Sequence, residues 1–123
     1  TGAGRIMLSC GNKAVYLACE VTDIGKSIHG LAAIVESSFA LDPFSNAVFV
    51  FCNRGRDRLK ILEWDGDGFW LHFKRLEKGR FKWPAESEEA TMTLTAEELT
   101  FLLGGAKIEL KLSRREVTDR RAI

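Results

Sequence analysis

Asn46 to Pro84 reads NAVFVFCNRGRDRLKILEWDGDGFWLHFKRLEKGRFKWP. Three runs rich in Val, Ile, Leu, Phe and Trp are divided by two polar breaks. The breaks are Asn53-Arg54-Gly55-Arg56-Asp57 and Asp65-Gly66-Asp67-Gly68. β-branched and aromatic runs separated by Asp-Gly signals predict an antiparallel meander. Gly suits such turns because it adopts positive φ without steric penalty. Strand alternation sets Leu59 and Ile61 against Arg58, Lys60, Leu62 and Trp64. It likewise sets Phe69, Leu71 and Phe73 against Trp70, His72 and Lys74. One apolar face and one face of cations and tryptophans are therefore expected. Register is the open point. If Asp65–Gly68 is a tight turn, Trp64 and Phe69 become cross-strand partners and Trp64 joins the apolar set.

Outside the meander, Lys13–Val21 (KAVYLACEV) predicts a first strand with Val15, Leu17 and Cys19 on one face. Thr22-Asp23 supplies capping oxygens. Ile24, Ile28, Leu31, Ala32, Ile34 and Val35 recur at helical spacing, so a helix over Asp23–Ser38 is expected. Gly25 and Gly30 inside it suggest close packing on the sheet. Leu41–Asn46, with Pro43, reads as a turn, and Phe81-Lys82-Trp83-Pro84 as a short edge-like piece. Glu86–Ala90 is an acidic loop. Thr91–Leu94 predicts a short strand, and Thr95-Ala96-Glu97-Glu98 a capping box opening a helix over Ala96–Leu103 that stops at Gly104-Gly105. Ile108, Leu110 and Leu112 alternate as one more strand. The fold class is α+β: an antiparallel sheet packed against one longer and one shorter helix. One domain is expected over 13–112, with a flexible segment 1–12 and a charged, disordered tail 113–123.

The 123 residues are 46% hydrophobic and 28% charged, the balance of a globular domain. The formal net charge of +1 hides an uneven distribution. Arg54 to Lys82 holds nine basic and five acidic residues, whereas every charge from Ala85 to Ala106 is acidic. Cys10, Cys19 and Cys52 have no paired spacing, which argues against a disulfide framework or a zinc site and for reduced thiols in the cytoplasm. No apolar run reaches the ~20 residues of a membrane span.

Several motifs lack their context. Gly25-Lys26-Ser27 would need a Gly at position 20 to make a phosphate loop, and Glu20 stands there. Asp65–Gly68 is followed by Phe69, Trp70 and Leu71, which cannot complete a calcium loop. Asp23, Asp65 and Asp67 have no spacing that selects a two-metal nuclease. His29 and His72 are isolated, and there is no nucleophile elbow. Neither an enzyme, a metal nor a cofactor is expected.

The strongest functional signal is the basic, tryptophan-bearing stretch. The expected nucleic-acid contacts are Arg54, Arg56, Arg58, Lys60, Lys74, Arg75, Lys78, Arg80 and Lys82, because cations neutralise phosphates and release counterions. Trp64, Trp70 and Trp83 are the expected aromatic contacts, since indoles stack on exposed bases.

From about Val15 to Gly104 the chain resembles the TnpB accessory proteins, the second reading frame of bacterial insertion-sequence-66-type mobile elements. The stretches that carry this are Val21-Thr22-Asp23, Gly30–Val35, Asp42-Pro43-Phe44-Ser45, Val48–Phe51, Asn53–Leu62, Trp64–Gly68 and Lys74–Pro84. The chain departs from the family pattern at Ile24-Gly25-Lys26-Ser27, where a basic pair is common, and at Glu63, where an aromatic is common. The resemblance implies a non-catalytic helper in DNA transposition whose partners are DNA and the transposase of the same element. The alternative is a protein-interaction module without nucleic-acid contact, working through the tryptophan-bearing face or the acidic Glu86–Glu98 segment.

Overall fold

The computed structural model describes residues 13–84 and 87–104. Its strands are β1 (Ala14–Ala18), β2 (Ala47–Cys52), β3 (Arg58–Trp64), β4 (Phe69–Arg75) and β5 (Thr91–Leu94). Its helices are α1 (Ile28–Ser37), between β1 and β2, and α2 (Ala96–Leu103), after β5. The five strands form one sheet in the order β4-β3-β2-β1-β5. β2, β3 and β4 are the expected antiparallel meander. β5 also pairs antiparallel, with β1. β1 and β2 run parallel, with α1 as the connection between them. The fold is thus α+β and mostly antiparallel, with one longer and one shorter helix.

The sheet is covered on both faces. On one, Val15, Leu17, Val48, Val50, Cys52, Leu59 and Ile61 pack with Leu99 and Leu102 of α2 and with Phe81. On the other, Phe49, Phe51 and Leu62 pack with Leu31 and Val35 of α1. Every residue of β2 is buried. Its uninterrupted AVFVFC follows from that position, since a strand enclosed on both faces has no use for alternation. The expectation of one apolar and one cationic face is therefore corrected. Leu62 turns toward α1, with Trp64 on the same side of the sheet by alternation, and Leu59 and Ile61 turn toward α2.

The register completes the correction. Trp64 pairs with Phe69 across the Asp65–Gly68 turn, and Lys60 pairs with Phe73. Cross-strand partners share a face, so Phe69, Leu71 and Phe73 join Arg58, Lys60, Leu62 and Trp64. Trp70, His72 and Lys74 lie on the opposite face with Leu59, Ile61 and Glu63. Lys60 and Lys74 therefore stand on opposite sides of the sheet, contrary to a single working face. Phe73, expected inside, is 56% exposed, because β4 is the outermost strand on that side among the described residues.

The first helix is shorter than expected. Asp23 Oδ1 accepts from Gly25 N at 3.0 Å, and Lys26 N bonds the Asp23 carbonyl at 3.1 Å. These bonds hold residues 23–26 in a turn, and α1 begins only after Ser27. A side chain at Gly30 would meet Cβ of Lys26 at 3.2 Å rather than the sheet, so close sheet packing does not explain this glycine. α2 has the expected bounds and a complete capping box: Thr95 accepts from Glu98 N, and the Glu98 carboxylate from Thr95 N. Residues 81–84 form no strand. Phe81 is buried in the core beneath α2, and Trp83 Nε1 donates to the Ala18 carbonyl at 3.1 Å. The strand expected at Ile108–Leu112, the tail 113–123 and the segment 1–12 lie outside the described residues.

Candidate nucleic-acid interface

The β3–β4 hairpin separates the cations from two of the three tryptophans. Arg58 and Arg75 are paired at its open end, Trp64 and Phe69 at its turn. Six residues of strand put these ends ~20 Å apart. The loops then gather further cations at the open end. Asn53 Oδ1 accepts from Asp57 N and Arg58 N, both at 3.1 Å, which folds the Asn53–Asp57 connection into a closed loop. Leu76 N donates to the Asp57 carbonyl at 2.8 Å and Phe81 N to the Arg56 carbonyl at 2.7 Å. These two bonds lay residues 76–81 back against the loop. Arg54, Arg58, Arg75, Lys78 and Arg80 are all exposed there, with Asp57 and Glu77 as the neighbouring acids. The basic feature is an end of the sheet, not a face.

Four of the expected contacts have other engagements. Arg75 Nη2 donates to Glu77 Oε2 at 3.2 Å in an exposed ion pair. Arg56 is held at φ 60°, and its guanidinium lies 5.3 Å from the centre of the Trp83 ring. Its Nη1 is buried without a hydrogen-bond partner, so Arg56 belongs to the packing beneath the loop. Lys60 Nζ donates to the Lys26 carbonyl at 3.1 Å and sits 5.9 Å from the Phe73 ring centre. Lys74 Nζ donates to the Leu103 carbonyl at 2.6 Å, where it neutralises the C-terminus of α2. Lys82 is exposed beside α2 and lines a groove with Met92, Leu94 and Phe101. Arg58, Lys60 and Arg75, with Ile24 and the exposed Phe73, surround a shallow cleft on the α1 side. Phe73, read from the sequence as core, is thus the aromatic that stands among the cations.

The tryptophans have structural duties. Trp64 packs edge-on against Phe44 and Phe69, with ring centres 5.0 Å away in both cases. Trp83 lies under Arg56. Trp70 is 57% exposed, stacks on His72, and donates from Nε1 to Asp65 Oδ2 at 2.7 Å. Asp65 Oδ1 also accepts from the amides of Asp67 and Gly68, and Gly66 has φ 108°. Asp65–Gly68 is therefore a hairpin turn built on the Asp65 carboxylate. Those donors, the Asp67 amide first, hold the Asp65 carboxyl below its ordinary range. The hydrogen bond and the charge of Asp65 push that of Asp67 above it.

A second constellation lies near this turn and was missed as a group by sequence reasoning. Glu63, only 4% exposed, accepts from Lys13 Nζ at 2.7 Å, and its other oxygen lies 3.0 Å from His72 Nε2. Lys13 also donates to the Trp64 carbonyl at 3.1 Å. The three residues tie the approach to β1 to β3 and β4 at the base of a cleft of about 690 Å³, walled by Phe44, Trp64 and Trp70. They are far apart in sequence, and no local pattern marks them. Both carboxylate oxygens are engaged, which suits a structural tie. Among the described residues no group of three or more His, Cys, Asp or Glu is placed to hold a metal ion. Cys19 and Cys52 are buried free thiols, and burial pushes both pKa values up.

Residues 13–112 match the protein family described as IS66 Orf2 like protein. Two proteins of Sinorhizobium fredii (strain NBRC 101917 / NGR234) are similar to the chain. The uncharacterized protein y4hO is 36% identical over 100 residues, covering 80% of this chain and 86% of its own. The uncharacterized protein y4jC is 34% identical over 91 residues, covering 74% and 77%. No solved structure matches the chain. Among the described residues no helix is long and apolar enough to cross a membrane.

Proposed function

The chain belongs to the IS66 Orf2-like family, whose association is with an accessory role in transposition, and from that premise we propose that it is a non-catalytic cytoplasmic helper that contacts DNA through its basic end. The observation that carries the reading is the convergence of exposed Arg54, Arg58, Arg75, Lys78 and Arg80 on one end of the sheet. Cations in a cluster displace several phosphate counterions together. Lys60 and Lys82 extend the field on either side. Arg56 and Lys74 contribute charge while holding the loop and the end of α2. No side chain in the cluster is held in a rigid bidentate geometry, so the expected binding reads the phosphate backbone and not the base sequence.

A titration of duplex and single-stranded DNA against salt tests this. Log affinity falls linearly with log salt, with a slope of about 0.9 per phosphate neutralised on duplex. Arg58→Ala, Arg75→Ala and Arg80→Ala each weaken binding across all sequences and lower the slope by about one. A flat salt response in the unaltered chain would end the DNA reading.

The position of Trp70 favours a second reading, contact with the transposase. This exposed indole and the adjoining cleft lie at the hairpin turn, at the opposite end of the hairpin from the basic cluster. Exposed aromatics are frequent interface anchors. Capture of the transposase of the same element that survives nuclease treatment and is lost in Trp70→Ala supports it. Capture that nuclease abolishes leaves DNA as the bridge.

A further inference from the structure

β4 is an outermost strand among the described residues. It runs seven residues, Phe69-Trp70-Leu71-His72-Phe73-Lys74-Arg75, without a Pro. Two hydrogen bonds fix which way its backbone groups point. At the turn, Asp65 N bonds the Gly68 carbonyl at 3.0 Å; beyond the far end, Leu76 N bonds the Asp57 carbonyl at 2.8 Å. Hydrogen-bonded and non-bonded pairs alternate along an antiparallel ladder. Trp70, His72 and Lys74 therefore turn their amides and carbonyls toward β3. Phe69, Leu71, Phe73 and Arg75 turn theirs outward. A long outward edge of this kind is a template for another strand. It carries an exposed aromatic on each face, Trp70 at 57% and Phe73 at 56%.

We propose that β4 pairs antiparallel with β4 of a second copy of this chain, about a twofold axis at His72. The sequence of the strand is complementary to its own reverse. In this register Phe69 lies across from Arg75 of the second copy, Trp70 from its Lys74, and Leu71 from its Phe73. Each cationic side chain meets an aromatic one, an attractive arrangement, and the remaining pair is apolar. Lys74 keeps its bond to Leu103 while its stem lies beside the indole. All the outward amides and carbonyls of both strands find partners, about eight hydrogen bonds in total by the antiparallel pattern. The acidic Asp65–Asp67 turn of each copy comes to lie toward the basic end of the other.

Other registers serve less well. A one-residue slip sets outward groups against inward ones. A two-residue slip in one direction draws Asp67 and Gly68 of the turn into the pairing. In the other direction it puts His72 across from Lys74 and leaves Phe69 and Trp70 unpaired. The symmetric register alone uses the whole strand. This inference does not depend on the DNA reading: Arg75 lies within the pairing, but Arg54, Lys78 and Arg80 lie outside β4 and are exposed, so both can hold.

The full chain is measured by sedimentation equilibrium over a range of concentrations, where a reversible dimer is expected. Phe73→Pro removes an outward amide and leaves the β3–β4 bonds in place. It is expected to give a monomer with unchanged circular dichroism. His72→Cys in a Cys10→Ser background probes the axis independently. Directly opposed residues of a non-bonded pair have Cα atoms about 4.5 Å apart, within disulfide range. Oxidation is expected to link the two copies at that position. A chain that is monomeric at every concentration overturns the proposal, including the case in which residues 105–123 of the same chain protect the edge from hydrogen exchange. So does a dimer that both survives Phe73→Pro and fails to crosslink through His72→Cys.

Discussion

Arg58 and Arg75 are direct cross-strand partners at the open end of the β3–β4 hairpin. Like charges opposite one another destabilise a sheet by a few tenths to about 1 kcal/mol. The pair is thus expected to oppose folding while serving binding. Arg58→Thr replaces one cation with a β-branched residue suited to a strand. It raises the thermal midpoint and weakens DNA binding in the same protein. A fall in both would show that Arg58 is held by contacts that stabilise it.

Burial on both faces makes a specific claim about β3. Ile61 and Leu62 are neighbours that point to opposite faces, yet they are 2% and 0% exposed. Ile61→Ala and Leu62→Ala should each lower stability by about 2–5 kcal/mol in a denaturant titration. A sheet covered on one face only would show a large loss for one and little for the other.

The Lys13–Glu63–His72 clasp predicts strong coupling. Lys13→Met leaves a buried carboxylate with one partner fewer, and breaking a buried pair from one side costs about 3 kcal/mol or more. Lys13→Met combined with Glu63→Leu should recover much of that loss, because the stranded charge is gone. Simple additivity in the double-mutant cycle would mean the two side chains do not act together.

The hairpin turn carries two opposed pH effects. The Asp65 carboxyl titrates below its ordinary value of ~3.9. Its contribution is present above that value and is lost as pH falls through the lower folded value. The Asp67 carboxyl titrates above its ordinary value. Its contribution declines as pH rises from the unfolded to the higher folded value, and the deficit persists at neutral pH. Asp67→Asn should therefore raise the thermal midpoint at pH 7, where its amide can donate to Asp65 without adding charge. Asp65→Asn should lower it. Melting curves across the acid range check both signs.

Local chemistry made much of this protein legible in its sequence. The turn at Asp65–Gly68 follows from its glycine and from a carboxylate that can reach three donors. The bounds of α2 follow from a capping box and a terminal glycine. The meander follows from three β-rich runs and two breaks. Each of these depends on residues within a few positions of one another. The unbroken apolar run of β2 also carries the signal of a sheet enclosed on both faces, which the alternating β3 and β4 do not repeat.

Only the tertiary structure decided what these elements do together. Pairing Trp64 with Phe69 assigned every side chain of β3 and β4 to a face, because in strands of period two a single residue of register exchanges all of them. That choice moved Phe73 from core to surface and separated Lys60 from Lys74. The parallel pairing of β1 with β2 brought Lys13 to Glu63 across a sequence separation of 50 residues. Folding of residues 76–81 against the Asn53–Asp57 loop turned scattered cations into one basic end. The sequence determined which strands, turns and helices form, since those depend on near neighbours. The site depends on which distant residues share a face, and chain folding alone sets that.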